Sequence, residues 1–395
     1  MPTVLYLLAL AVFAMGTSEF MLAGLLPDIA ATLDVSLGAA GLLTSAFAAG
    51  MVLGAPVTAA LARRWPPRAT LLAFLLAFAA THVVGALATT FPVLLATRVL
   101  AALANAGFLA VALTTVTTLV APGRHGRALA VLLSGTTLAT VAGVPGGAVV
   151  GTLLGWRATF WTVALLCVPT AIALLGRDRL RRPAATAAPG LRDELSRLAR
   201  PRLAVVMLLG ALVNAATFAT FTYLGPIVTG AAGLAGLWVA VTLVLFGLGS
   251  FAGVTVAGRL ADRRPGLVVG VGGPLALLGW VALALLAGEP AALLVLVFTQ
   301  GALSFAVGAT LIARVLHEAA GAPTMGGAYA TSALNLGAVG GPLLAGAALG
   351  GGVLGPAWVS AGLVAAALAV ALVVGLVVAA VSRGRQSPAG RRGHA

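Results

Sequence analysis

The chain has 395 residues, of which 61% are hydrophobic and only 8% are charged. This composition cannot supply the polar surface that a large soluble catalytic domain needs. Every basic residue is an arginine, and without lysine the chain cannot carry the P-loop of an ATP-driven pump. The formal charge of +14 comes from arginines in short segments between apolar runs, which is typical of a membrane protein and not of a nucleic-acid binder.

Cysteine and histidine usage gives no sign of a metal site. Cys167 is the single cysteine, so no disulfide framework can form within the chain. The first apolar run contains Glu19 and lacks a basic start, so we do not expect it to be cleaved as a signal peptide. We expect no metal, no cofactor and no enzymatic activity. The four histidines are far apart and form no ligand motif: His82, which is interpreted as a packed residue, His125, His317 and His394.

Twelve apolar segments follow one another, and each is long enough to cross a bilayer, which takes about 20 residues. The sequence therefore predicts an all-α membrane protein with twelve transmembrane helices in two six-helix halves. The first six predicted spans are Val4–Ile29, Leu37–Leu61, Ala69–Ala88, Pro92–Val120, Ala128–Leu154 and Ala158–Gly176. The second six are Leu203–Leu224, Leu234–Ala257, Leu267–Ala287, Ala291–Arg314, Thr324–Gly350 and Leu354–Val381.

A polar segment rich in arginine separates the two sets of spans. We predict an amino-terminal half over residues 1–176, a linker over 177–202, a carboxy-terminal half over 203–381 and a basic tail over 382–395. The halves repeat weakly, since Ala62–Pro66 aligns with Ala261–Pro265, and Pro27 near the end of the first span aligns with Pro226 near the end of the seventh. Transporters built from two parallel repeats bind their substrate near the midplane, between the repeats.

The distribution of arginine predicts the orientation in the membrane. All but two of the 23 basic residues fall on one side when the amino terminus is placed in the cytoplasm. Only Arg157 falls in an outer loop, and Arg98 falls within a span. Both termini and the linker are therefore expected to be cytoplasmic, and the basic tail is expected to anchor the topology and meet anionic lipid.

Glu19 and Arg98 are the acid and the arginine that the pattern places deep within spans. An ionisable group at this depth is costly, so it is usually paired, functional or both. Both residues are predicted at similar depth, about 12 and about 9 Å from the outer ends of their helices. An adjacent cation favours the charged carboxylate, whereas burial favours the neutral acid, and this competition suits proton coupling. A buried ion pair that only fixes packing is the alternative.

Polar and aromatic side chains share helical faces in span 4, where Asn105 lies on the face of Arg98, and in spans 7, 10 and 11. Such faces would line a mostly apolar cavity with a few polar contacts. Hydrogen bonds between packed helices are the alternative for each of the polar residues. The predicted cavity residues are Asn105, Asn214, Phe218, Phe221, Gln300 and Asn335, with Ser304 and Ser332 on the same faces.

Two further segments are predicted to control conformation. The fifth span carries a glycine-rich run in which small residues allow close packing and a proline kinks the helix, so it can act as packing, as a hinge or as both. A cytoplasmic turn after the eighth span places an acid among arginines, which is typical of a solvated loop but also matches a gate motif of transporters. The residues of the run are Gly135, Gly143, Pro145, Gly146 and Gly147, and those of the gate are Gly258, Asp262 and Arg263.

These motifs resemble the drug:proton antiporters of the major facilitator superfamily over nearly the whole chain. Gly16–Phe20 is similar to the first-span motif of the twelve-span exporters, and Arg98 matches their fourth-span arginine. The run from Gly135 to Gly147 resembles the antiporter motif of the fifth span. Within the group, the chain looks closest to bacterial chloramphenicol-resistance exporters. Two motifs differ from the family pattern. Ala59 and Arg63 replace the Gly and Asp of the motif after span two, and Ala101-Ala102 replaces the Gln-Gly pair of the fourth-span motif.

The resemblance implies a monomeric, proton-coupled exporter of a small apolar antibiotic in the bacterial inner membrane, with chloramphenicol as the expected substrate. In it, Glu19 and Arg98 would couple transport to protons, and Asp262 would close the cytoplasmic side. Export of sugars or purine nucleosides by the same fold is an alternative, although it would need more polar cavity residues. A passive facilitator or receptor is another, but it needs no buried carboxylate.

Overall fold

A computed structural model describes residues 3–61, 66–121, 124–176, 191–196, 198, 200–261, 265–320, 322 and 325–386. Within these ranges the secondary structure is helical and contains no strand. Twelve helical segments are long and apolar enough to cross a membrane. The predicted fold class and number of spans are therefore confirmed.

The first six spans begin and end within a few residues of the predicted positions. Spans 2, 3 and 4 are single helices, whereas spans 1, 5 and 6 are interrupted. Span 1 comprises Thr3–Phe20, a 3₁₀ turn Met21–Gly24 and Leu26–Thr32; span 2 is Leu37–Leu61; span 3 is Pro67–Leu87; span 4 is Phe91–Thr118; span 5 comprises His125–Leu138, a π-helical turn Ala139–Gly143 and Val144–Leu154; and span 6 comprises Trp156–Leu166 and Val168–Leu175.

Among the second six spans, spans 7 and 11 are interrupted and the other four are single helices. A short helix, Leu191–Ser196, precedes them. Span 7 comprises Pro201–Thr222, Leu224–Pro226 and a π-helical turn Ile227–Ala231; span 8 is Leu237–Ala261; span 9 is Pro265–Leu286; span 10 is Pro290–Glu318; span 11 comprises Gly326–Ala348 and a 3₁₀ turn Leu349–Gly351; and span 12 is Gly355–Gln386.

Prolines account for two of the helix interruptions. Pro27 occupies the second position of the last helix of span 1, just after the 3₁₀ turn that ends at Gly24. Pro145 lies just after the π-helical turn of span 5. Proline has no N–H to donate to the preceding turn, so the helix must shift its hydrogen-bond register or bend at that point. The predicted kink of span 5 is thus a π-bulge.

The apolar core is divided in the same way as the chain. The largest buried cluster draws almost all its residues from spans 1 to 6. A second cluster draws most of its residues from spans 7 to 12, together with Ala23, Val144 and Ala148 of the first half. Each half therefore has its own core, and spans 1 and 5 carry the residues that join the second one. The predicted residue boundaries of the halves stay predictions.

Span 2 packs against span 11 across the interface between the halves. A side chain added at Gly38 would lie 3.1 Å from the carbonyl oxygen of Gly346, so the two backbones are in close contact. The Ser45 hydroxyl donates to the carbonyl of Val339 at 2.9 Å. We call the end of the bundle that contains Gly38 and Gly346 the predicted outer end, following the arginine distribution.

The described part of the linker is attached to span 11. The Glu194 carboxylate accepts a hydrogen bond from the backbone N–H of Met325 at 2.8 Å, immediately before the first turn of that span. The Tyr329 hydroxyl donates to the Glu194 carbonyl at 2.7 Å. An acidic side chain stabilises the start of a helix because the first backbone N–H groups lack partners within it. Residues 177–190 of the predicted linker lie outside the described ranges.

Candidate functional site

Arg98 lies in the interior of the first half, where only 1% of its surface is exposed. Its guanidinium donates two hydrogen bonds to Ser18, one to the hydroxyl and one to the backbone carbonyl, both at 2.8 Å. The same group lies 4.5 Å from the centre of the Phe47 ring, a cation–π contact. A buried cation is thereby bound by neutral acceptors and an aromatic face.

Glu19 follows Ser18 in span 1 and lies close to the point where the α-helix changes into the 3₁₀ turn. Its side chain is half-buried, and its carboxylate lies within electrostatic reach of Arg98 without a hydrogen bond or ion pair to it. The sequence predicted that Glu19 and Arg98 lie at similar depth. In the structure Arg98 is hydrogen-bonded to Ser18, the residue before Glu19. The direct ion pair considered from the sequence is not formed, because the guanidinium is held by Ser18 instead.

A cluster of aromatic rings begins directly after Glu19 and extends into the second half. Phe20 stacks on Phe218 at 5.7 Å between ring centres and meets Phe221 edge-on at 6.0 Å. Phe221 continues to Phe246 of span 8 at 4.8 Å, and Phe246 continues to Phe305 of span 10 at 6.0 Å. The predicted cavity residues Phe218 and Phe221 are therefore together, and Phe20 brings them next to the acidic residue.

The predicted amide side chains have different surroundings. The Asn214 amide donates to the Leu334 carbonyl of span 11 at 2.7 Å, which is a bond between packed helices. The Asn335 amide donates to the Thr331 carbonyl of its own helix at 3.0 Å. Asn105 is buried in span 4 and has no hydrogen bond to a described residue. The bond of Asn214 is of the kind expected for the packing alternative, and its predicted place in a substrate cavity stays a prediction.

Gln300 faces the interior of the second half. Its amide donates to the Ala276 carbonyl of span 9 at 3.0 Å, and only 1% of its surface is exposed. It lines a small enclosed cavity of about 10 Å³ with Trp280 and Phe221. This volume is far below that of a drug-sized site, which is on the order of several hundred Å³.

The glycine run of span 5 packs closely against span 1. A side chain added at Gly135 would collide with the backbone of Ala9, and one added at Gly143 would collide with the Thr17 hydroxyl. A Cβ at Gly147 would lie 3.1 Å from Thr159. The predicted close packing is present at these three positions.

Gly146 differs from the rest of the run, because an added side chain there would meet nothing within 4 Å. Pro145 is buried beside it and follows the π-helical turn. The same turn touches span 8, because a side chain added at Gly247 would collide with the carbonyl of Thr140. Span 5 therefore contacts span 1 within its own half and span 8 of the other half.

The predicted gate falls largely outside the described ranges. Asp262 and Arg263 lie there, and so does Arg63. Gly258 is an exposed residue of span 8, and a side chain added there would have open space around it. Within the described ranges, no group of three or more His, Cys, Asp or Glu side chains is placed to hold a metal ion.

Sequence reasoning missed the residues that bind Arg98. Ser18, Phe47 and His82 are buried around the guanidinium or its partner. Ser18 was quoted only as part of a motif, and His82 was interpreted as a packed residue. Two features of the sequence could have indicated them: Ser18 lies beside an intramembrane acid, and His82 lies within an apolar span. Buried polar groups of this kind need hydrogen-bond partners.

A bundle of twelve membrane-spanning helices, with a half-buried carboxylate and a buried arginine between its helices, defines a membrane transporter of the two-repeat type. The sequence profile of the Major Facilitator Superfamily matches residues 8–342. The chain belongs to this superfamily.

Relatives and solved structures agree with this assignment. The chain is 67% identical to the chloramphenicol resistance protein of Streptomyces lividans over 372 residues, which cover 93% of this chain and 95% of the relative. It is 33% identical to the inner membrane transport protein YdhP of Escherichia coli K12, covering 88% and 87%. The crystal structure of a bacterial homologue of the human lysosomal transporter Spinster, inward-facing and unoccupied, superposes with a TM-score of 0.71 at 20% identity, covering 96% of both chains. A mutant of the nucleoside transporter NupG gives 0.74 at 13% identity, covering 93% and 98%. The two structures support the fold alone.

Proposed function

We propose that this protein exports a small, largely apolar antibiotic across the cell membrane and that proton entry drives the export. Chloramphenicol is the candidate substrate, because a relative that is 67% identical over nearly its whole length bears the name chloramphenicol resistance protein. The chain has no lysine for a P-loop, so an ion gradient is the energy source that remains for it.

Glu19 is the observation on which the proposal depends. Its carboxylate is half-buried at a change of helix type, has no bonded cation among the described residues and precedes a cluster of aromatic rings. A carboxylate in this position can gain and lose a proton as its surroundings change. In the proposed cycle, protonation of Glu19 and release of the drug occur in one conformation, and deprotonation and drug binding occur in the other.

The polar groups near the aromatic cluster favour an apolar substrate. The amide nitrogens of Asn214, Gln300 and Asn335 already donate to backbone carbonyls of the protein. Around the small cavity beside Phe221, only the Gln300 oxygen and the Trp280 N–H are therefore buried without a partner among the described residues. A sugar or nucleoside would need several free donors and acceptors to replace the water that it loses on binding. A neutral aromatic drug can instead stack on rings such as Phe218 and Phe221.

The remaining features of the proposal concern the setting of the protein. We propose that it acts as a monomer in the inner membrane, with both termini in the cytoplasm, the basic tail near anionic lipid, no cofactor and no enzymatic activity. Asp262, which lies outside the described ranges, would close the cytoplasmic side with Gly258 and Arg263. Arg63 at the equivalent position of the first half cannot supply the same acid, so the two halves would gate unequally.

Transport by purified protein tests the proposal directly. Proteoliposomes loaded with chloramphenicol and given an imposed pH gradient should release the drug faster than drug-loaded vesicles without the protein. Glu19→Gln keeps the shape of the side chain but removes its charge, so gradient-driven release should fall to the background. The matched control is Glu289→Gln, because Glu289 is exposed before span 10 and should be dispensable.

Cells expressing the same variants provide the second measurement. The parent and Glu289→Gln should raise chloramphenicol tolerance, whereas Glu19→Gln should not. Unchanged tolerance with verified membrane expression, together with export of a sugar or nucleoside, would replace the drug assignment by the alternative. Full gradient-driven release by Glu19→Gln would remove Glu19 from the coupling mechanism.

A further inference from the structure

His82 is a buried titratable residue that the proposed cycle does not use. It lies in span 3 with 1% of its surface exposed. Its ring is held between those of Phe78, at 4.3 Å between centres, and Phe160 of span 6, at 5.7 Å. A polar ring in the interior of a membrane protein needs hydrogen-bond partners, and the ring packing fixes which partners it can reach.

The partners of His82 determine which ring nitrogen donates a hydrogen bond and which accepts one. Its Nδ1 lies 2.8 Å from the Phe78 carbonyl oxygen, which can only accept, so Nδ1 carries the hydrogen of the neutral ring. Its Nε2 lies 2.7 Å from the Ser18 hydroxyl and accepts from it. The Ser18 oxygen in turn accepts from Arg98. Span 4, span 1 and span 3 are thereby joined in one chain of hydrogen bonds, and the Nε of Arg98 is the buried donor of this chain that has no partner among the described residues.

The other charged and titratable groups near His82 do not take part in this chain. Arg98 comes from span 4 and is joined to the ring through Ser18, and Glu19 of span 1 has no bond to it. Span 6 contributes Arg157 and Cys167, and each of them is hydrogen-bonded to a backbone carbonyl elsewhere. The orientation of Arg98 is therefore the property that His82 can influence.

We propose that His82 is a positioning residue for proton coupling, which through the Ser18 hydroxyl holds the Arg98 guanidinium on span 1 and away from the Glu19 carboxylate. This inference rests on the proposed proton-driven export. A guanidinium fixed by Ser18 attracts the Glu19 carboxylate through space but forms no bond with it, so Glu19 can exchange its proton with the substrate path. A guanidinium released from Ser18 can approach the carboxylate and hold it in its charged form.

Two amide substitutions separate the two nitrogens of the ring. In His82→Gln the amide reaches the position of Nε2 and can accept from Ser18. In His82→Asn the shorter amide reaches only the position of Nδ1 and can replace only the bond to Phe78. Both replacements are neutral and polar, so they differ mainly in the link to Arg98. Ser18→Ala removes the same link from the other side and leaves Arg98 only its bond to the backbone carbonyl of residue 18.

The measurement is chloramphenicol release from proteoliposomes as a function of pH, with equilibrium drug binding measured on the same preparations. Ser18→Ala should lower gradient-driven release roughly tenfold or more, the size typical of losing a hydrogen bond to a charged group, and His82→Asn should lower it by a smaller factor because the bond it loses joins two neutral groups. Their pH profiles should move toward acid, because more acid is needed to protonate a carboxylate that Arg98 approaches. Drug binding should stay close to that of the parent, and His82→Gln should keep most of the release and the parental profile.

The outcomes separate this inference from the function on which it rests. If the parent shows no gradient-driven release, or if Glu19→Gln releases as well as the parent, the proposed coupling itself fails. If the parent is driven, Glu19→Gln is inactive and the two His82 variants share the parental rate and pH profile, then only the positioning role is overturned. Equal loss of release and of drug binding in both His82 variants would also overturn it, because the ring would then be needed for packing alone.

Discussion

Replacing Gly143 by alanine should disturb the contact between spans 5 and 1. A Cβ at this position would collide with the Thr17 hydroxyl and would lie 3.1 Å from the Thr17 Cβ and 3.2 Å from the Phe13 ring. The hydroxyl cannot turn away without loss, because it donates to the Phe13 carbonyl at 2.8 Å. Gly143 also ends the π-helical turn, so the backbone there has little freedom to move back.

The expected cost follows from two opposing effects. Inserting a methyl group into a packed interior costs about 1–3 kcal/mol, and losing the Thr17 hydrogen bond costs about 1 kcal/mol more. Alanine is preferred over glycine within a helix by about 1 kcal/mol, which offsets part of this. The net loss in the free energy of unfolding should therefore be about 1–3 kcal/mol. Gradient-driven transport should fall as well, because the same turn carries the contact with span 8.

Gly146→Ala is the matched control, since an added Cβ there meets nothing within 4 Å. It should leave the free energy of unfolding unchanged or raise it slightly. Reversible unfolding in mixed micelles measures both variants. Thr17→Ala combined with Gly143→Ala should cost less than the sum of the single changes, because removing the hydroxyl makes room for the new methyl group. Equal stability of the Gly143 and Gly146 variants, or strict additivity with Thr17→Ala, would refute this reasoning.

Two further predictions concern the linker. A reporter that is active only in the periplasm should be silent when fused after Arg182 and active when fused after Asp34, because the arginine distribution places the linker inside; activity after Arg182 would reverse the orientation. Glu194→Ala should lower the free energy of unfolding by about 0.5–2 kcal/mol, because the N–H of Met325 loses its acceptor. Asp193→Ala, at an exposed neighbouring position, should change it by less than about 0.5 kcal/mol, and equal effects in the two variants would contradict this role of Glu194.

The positions of the spans could be predicted because the bilayer imposes a length on every apolar helix. Span 2 was predicted as Leu37–Leu61 and has those bounds. The changes of helix type could not be predicted in the same way. Pro145 indicated that span 5 would be kinked, whereas no interruption was predicted within span 1, and whether the chain forms a 3₁₀ turn or a π-helical turn depends on neighbouring helices.

Periodicity gives the face of a helix but not the helix that this face meets. Phe218 and Phe221 were predicted to share a face, and both contact Phe20 of the other half. Gln300 was predicted to face the same cavity, but its amide donates to span 9 within its own half. Sequence spacing correctly predicted that Glu19 and Arg98 lie at similar depth. It could not predict that Arg98 binds Ser18, because this depends on the reach of the side chains.

Four consecutive residues of span 1 connect parts of the protein that a transport cycle must coordinate. Thr17 packs on the π-helical turn of span 5, which touches span 8 of the other half. Ser18 holds Arg98, Glu19 carries a carboxylate without a hydrogen bond among the described residues, and Phe20 joins the aromatic cluster of the second half. Because they follow one another at the change from α-helix to 3₁₀ turn, a small rotation of span 1 alters all four contacts together. A shift between the halves that moved the turn of span 5 would therefore reach the Arg98 hydrogen bonds through a single helical turn, without a longer pathway.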